Sequence, residues 1–169
     1  MSQKYYGKYR GSVLNNVDPM QMGRLLVQVP DVEALLPSSW AMPCFPFTGK
    51  QMGAYTLPQI GAGVWVEYEQ GDPNYPIWSG CWYGSAAEVP ALALAGNPAS
   101  PSVVLQSGLQ NSIVISDLPG PTGEIMLKST TGATLIVNDT GIYIQNGRGA
   151  SIVMTGPTVT VNNGALTVI

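Results

Sequence analysis

Carboxylates, thiols and aromatic rings are the side chains in this sequence that could act on another molecule. Histidine is absent from the 169 residues. That removes the commonest general base, the serine–histidine pair and most zinc sites together. Glu67, Glu69 and Asp72 come nearest to a hydrolytic set, because glycoside hydrolysis needs two facing carboxyl groups. Glu67 and Glu69 share one face of one strand, which is the ordinary pattern of a solvated face. No catalytic residue is assigned, and the chain is read as a non-enzyme. Cys44 and Cys81 are the only cysteines. Two ligands are too few for a metal, and both thiols are expected as small buried hydrophobes. No metal site and no cofactor are expected. Tyr6, Tyr9, Trp65 and Trp78 could stack on bases. The only basic cluster is Lys4, Lys8 and Arg10, and the net charge is −3, so no nucleic-acid partner is expected.

With so little chemistry, the informative features are the elements themselves. The chain has 20 Gly and 14 Pro, and charged residues make up 10% of it. No stretch holds a helical period, so an all-β, turn-rich protein is expected. Met1 to Tyr6 lacks an apolar leader run, and no run reaches the ~20 apolar residues of a membrane span. Folding in a cytoplasm is the expectation.

The first 85 residues read as about five strands. Tyr5 to Leu14 opens, Asn15 to Pro19 turns, and Gly23 to Val29 follows with Leu25, Val27 and Val29 alternating. Ser38 to Cys44 leads into a third element with Trp40 as a core anchor. Gly49 to Gly53 is a loop and Ala54 to Leu57 a short strand. Val64 to Glu69 alternates strictly, and Pro76 to Gly84 closes the unit. Five short strands with glycines at the bends fit an OB-fold-like barrel over residues 1–85, with a small sandwich as the alternative. Residues 86–101 are small, uncharged after Glu88 and spaced by proline. They read as an extended linker, or as one helical turn at Ala91 to Ala95.

Residues 102–169 change character again. Ile113–Ile115, Ile125–Leu127, Leu135–Val137, Ile142–Ile144, Ile152–Met154, Val159–Val161 and Leu166–Val168 are apolar triplets separated by glycine and other turn residues. Alternation puts Ile142 and Ile144, Val159 and Val161, and Leu166 and Val168 on one face, with Tyr143, Thr160 and Thr167 on the other. One chain offers too little surface to bury such a face, and three chains forming a triangular β-prism would bury it at the centre. Ile142, Ile144, Ile152, Met154, Val159, Val161, Leu166 and Val168 are the expected trimer core. A monomeric solenoid or part of a sandwich is the alternative.

The barrel residues carry a specific likeness. Asn15-Asn16-Val17-Asp18-Pro19 followed by Gly23-Arg24-Leu25-Leu26-Val27-Gln28-Val29-Pro30 resembles the opening of the baseplate assembly protein V family. Trp40-Ala41-Met42-Pro43 continues the likeness. It is strongest from Leu57-Pro58-Gln59-Ile60-Gly61 through Val64-Trp65-Val66-Glu67-Tyr68-Glu69-Gln70-Gly71-Asp72-Pro73-Asn74 to Gly80. That family is similar to the VgrG proteins of type VI secretion. The resemblance implies a homotrimeric central spike of a phage-tail-like contractile particle. Its barrels would meet the hub and tail-tube proteins of the baseplate, and its prism would point at, and transiently cross, the target membrane. A PAAR-like tip protein would cap the far end. On that reading Ala165, Leu166, Thr167, Val168 and Ile169 form the cap-binding end, and Lys4, Lys8 and Arg10 contact the hub. The short length looks most like the spike of an extracellular injection system. A trimeric carbohydrate-binding tail-fibre module is the alternative.

Overall fold

The computed structural model describes residues 3–119 and 124–168. The chain divides into two compact units, Met1–Ala86 and Ala87–Ile169.

The first unit is built on β1 (Tyr9–Asn15), β2 (Leu26–Gln28), β3 (Met42–Pro43), the short hairpin β4 (Thr48–Gly49) and β5 (Met52–Gly53), β6 (Gly63–Tyr68) and β7 (Pro76–Trp82). A single helical turn, α1 (Pro30–Glu33), follows β2. Five of the strands form one sheet in the order β2-β1-β6-β7-β3. Leu25 and Ala41, which directly precede the two edge strands, exchange backbone hydrogen bonds of 3.1 and 2.8 Å. That bridge joins the sheet's edges and closes the barrel, leaving no unpaired edge at this point. Alternation fills the interior: Val13, Leu25, Val27, Val29, Ala41, Val64, Val66, Tyr68 and Trp78 form the core. β7 carries a bulge opposite Val64–Val66, and Gly80 sits there at φ +131°, a backbone region that L side chains rarely adopt.

Several expectations are corrected here. Trp40 is only half-buried and lies against the Arg24 guanidinium, 5.4 Å from the ring centre. The core anchor is Trp78, whose indole N–H donates to the Gly23 carbonyl at 3.0 Å. Ala54 to Leu57 is not a strand; the pairing falls on β4 and β5 instead, with Gln51 at φ +58° in the turn between them. Cys44 and Cys81 are both exposed free thiols rather than core residues. The turn expected at Asn15 to Pro19 forms, organised by Asp18. Its carboxylate accepts from the backbone N–H groups of Met20, Met22 and Arg24, and from the Arg24 guanidinium at 2.6 and 3.0 Å. The guanidinium bond, with the three N–H donors, holds the Asp18 carboxyl well below the usual carboxylate range.

A 3-10 turn at Ala86–Glu88 spans the boundary, and the second unit continues with one α-helical turn, α2 (Ala91–Leu94), which packs on the first strand of the sheet that follows. That sheet contains β8 (Val103–Gln106), β9 (Ser112–Ser116), β10 (Glu124–Lys128), β11 (Thr134–Asn138), β12 (Gly141–Gln145), β13 (Ser151–Thr155), β14 (Thr158–Val161) and β15 (Leu166–Val168). All eight lie in chain order in one antiparallel meander. Seven occupy the expected triplets. β8, which carries Val103-Val104-Leu105, is a further strand that the triplets do not include.

Candidate trimer-forming face

The meander keeps one register across all eight strands. Val103, Ile115, Ile125, Val137, Ile142, Met154, Val159 and Val168 are successive cross-strand partners and form one row. Leu105, Ile113, Leu127, Leu135, Ile144, Ile152, Val161 and Leu166 form a second row two residues away along each strand. Side chains two apart on a strand share a face. The two rows therefore make one apolar surface without a single polar or charged side chain. The row between them, Val104, Val114, Met126, Ile136, Tyr143, Val153 and Thr160, lies on the opposite face and becomes polar toward β14.

Among the described residues, much of this surface is left open. Ile113, Ile115, Ile125, Leu127, Ile144, Ile152, Leu166 and Val168 are exposed, the last two by 59% and 57%. On the opposite face, by contrast, Val114 and Met126 are each only 4% exposed. A contiguous aliphatic face of this size on a chain with 10% charged residues marks an association surface. Five-residue strands are about 17 Å long, so three such sheets set as the sides of a triangle would each stand ~5 Å from the axis. That is half the usual spacing of packed sheets, so aliphatic side chains would fill the centre without a channel.

All eight residues expected in the trimer core lie in the two rows. The rows hold eight further residues, from Val103 to Val137, that the expected core does not include. The signal was there, since Ile113, Ile115, Ile125, Leu127, Leu135 and Val137 are the outer positions of triplets already seen. Of the expected tip residues, Leu166 and Val168 end the two rows and Ala165 enters β15; Ile169 and the Thr167 side chain lie outside the described residues.

The margins of the sheet are built from its turns. On one side, the β8–β9, β10–β11 and β12–β13 turns are closed by Ser107–Asn111, Ser129–Ala133 and Asn146–Ala150 backbone bonds. These turns also hold one another. Asn111 accepts from the Thr130 N–H at 3.1 Å, and a side chain at Gly147 would sit 2.6 Å from the Gly132 carbonyl carbon. Asn162 accepts from the Ser151 N–H at 3.0 Å. The column formed this way fixes the height of each strand.

The basic residues of the barrel are engaged within their own unit. Lys4 lies 3.8 Å from Asp72. Lys8 donates to Glu67 and, at 2.7 Å, to Ser79. Arg10 lies over Trp65 and Trp82, 5.8 and 5.3 Å from the ring centres. Lys8 holds the Glu67 carboxyl below its ordinary range, and the Asn74 backbone N–H does the same for Asp72. A general acid for glycoside hydrolysis needs the opposite shift. Tyr6 is exposed, but Trp78 is buried and Tyr9 packs edge-on against Tyr5 and Tyr68, so the four rings form no stacking platform.

Comparison with known proteins agrees with this division. Residues 9–83 match the model of the type VI secretion system and phage-baseplate injector OB domain. Residues 102–167 match that of the phage baseplate V C-terminal trimerisation domain. Among curated relatives, the type VI secretion system spike protein VgrG1a of Pseudomonas aeruginosa is 29% identical over 96 residues, which are 57% of this chain and 14% of that protein. VgrG4b of the same organism, also a type VI spike protein, is 36% identical over 53 residues, 31% of this chain and 7% of that protein. The chain thus matches only a small part of the length of these relatives. The barrel, the unburied aliphatic face and both domain matches place the chain in the family of phage-baseplate V and VgrG-like spike proteins, structural components of injection particles that carry a trimerisation domain.

Proposed function

We propose that three copies of this chain form the central spike of a contractile injection particle, a stiff rod driven through the target envelope. The observation that carries this reading is the pair of aliphatic rows, which the described residues leave largely open. Three chains would bury them around one axis, with Ile142, Ile144, Ile152, Met154, Val159, Val161, Leu166 and Val168 as the core of the far half. Full burial of each such side chain contributes roughly 1.5–3 kcal/mol. Eight strands about 4.8 Å apart give a rod ~34 Å long whose backbone groups are paired along its length. A rod of that kind unfolds slowly, which suits a part that must survive a mechanical stroke.

The barrels would meet the hub and tail tube, through the surface that carries Lys4, Lys8 and Arg10. Their contacts to Asp72, Glu67 and the Trp65 and Trp82 rings make that surface ordered rather than a set of free charges. At the other end, Leu166 and Val168 leave an exposed apolar terminus to the rows, a platform for a PAAR-like tip protein at Ala165 to Ile169. Assembly would take place in a bacterial cytoplasm before the particle is released or fired, and contact with the target membrane would be transient. Residues 86–101 would join the barrel to the prism. Electron micrographs of the parent particle test the reading. A three-fold rod at the base of the tube, lost when this chain is deleted, is expected. Particles that keep the rod without this chain would overturn it.

A further inference from the structure

From Val103 onward the chain carries five charged side chains, Asp117, Glu124, Lys128, Asp139 and Arg148. Their placement is not mixed. Lys128 ends β10 beside the β10–β11 turn, and Arg148 lies in the β12–β13 turn, so both cations stand on one margin of the sheet. Glu124 begins β10, Asp117 lies in the β9–β10 connection and Asp139 in the β11–β12 turn, so all three anions stand on the other margin. Among the described residues none of the five forms an ion pair within its own chain. Lys128 and Glu124 occupy the two ends of one strand and so the same height in the stack. Arg148 and Asp139 differ by about one strand spacing, ~4.8 Å.

We propose that these margins are the contacts between neighbouring chains of the trimer: the basic margin of one copy lies against the acidic margin of the next, around the ring. The proposal rests on the trimer reading and adds to it which edges meet and in which direction the chains run. Rotation about the stacking axis brings unlike margins together at every junction, a head-to-tail contact that closes on itself. Turning one sheet end over end instead sets basic margin against basic margin. Exposed ion pairs add little to stability, while like charges in apposition disfavour an arrangement. The aliphatic rows therefore supply the affinity, and the margins choose the parallel, in-register packing among those the rows would tolerate.

The test uses the full chain and a zero-length carbodiimide cross-linker, which joins a lysine only to a carboxylate in direct contact. Lys128 cannot reach Glu124 or Asp117 of its own chain, since the strand separates them. The expected result is cross-linked peptides joining Lys128 to Glu124 or Asp117, in covalent species of up to three chains. In parallel, Lys128→Glu and Glu124→Lys should each lower the temperature at which the trimer dissociates, and combining them should recover most of that loss. A particle that scatters as three chains with Lys128 unlinked, or a double reversal no better than either single one, overturns the margin assignment while leaving the trimer standing. A wild-type chain that scatters as a monomer overturns the trimer reading first.

Discussion

Ile144 and Ile152 face each other across β12 and β13, and each leaves more than a third of its surface, 37% and 38%, open to solvent. Paired isoleucines at the middle of an eight-stranded sheet would ordinarily be the most buried residues in a domain. The proposed trimer would remove that exposure by setting this face against two further copies of the chain. Ile144→Asp places a charge on that face and should abolish the three-chain particle, as should Val159→Asp on the neighbouring row. Light scattering after size exclusion reads the outcome directly. A soluble trimer from either variant would show that the face points outward.

Truncation at the far end separates assembly from capping. A chain lacking Ala165 to Ile169 loses the last partner of each row but keeps the other seven, so it should still trimerise. It should no longer bind a purified PAAR-like tip protein in a pull-down. Undiminished binding would move the cap site elsewhere.

The barrel's stability should depend on Asp18. Its folded-state pKa is depressed, first by the Arg24 guanidinium and then by three backbone N–H groups. The contribution is therefore fully present above the ordinary carboxylate value, about 3.9. It is lost as pH falls through the lower folded value, because the unfolded chain binds the proton more readily. Asp18→Asn should lower the melting temperature at pH 7 and flatten its fall between pH 5 and 2. Melting curves that run parallel for the two proteins across that range would show that the turn does not depend on this charge.

Trp78 and Gly147 test the two units separately. Trp78→Ala empties the centre of the barrel and strands the Gly23 carbonyl, at a cost of about 3–5 kcal/mol. Urea unfolding followed by tryptophan fluorescence should show it. Gly147 has φ +72° and no room for a side chain against Gly132. Gly147→Ala should lower the trimer's dissociation temperature without changing the barrel's urea midpoint. A shift in both, or in neither, would contradict the division of the chain.

Much of this was legible in the residues themselves. The strict alternation from Val64 to Glu69 specified β6, and the apolar triplets specified seven of the eight meander strands. What escaped reading depended on contacts between distant segments. Trp40 and Trp78 look alike as core anchors, but the fold encloses Trp78 and leaves Trp40 half-buried. Cys44 and Cys81 have the composition of core residues but lie where the barrel wall faces out. The separation of cations from anions was invisible for the same reason. Lys128 and Arg148 are 20 residues apart in the chain, and only the shared register of the meander puts them on one margin.

The most direct test of the trimeric rod is the mass of the purified wild-type chain in solution, measured by light scattering across a dilution series. A particle three times the 17.8 kDa chain mass, unchanged on dilution, is the predicted result. A stable 17.8 kDa monomer with its aliphatic rows open to water would contradict it.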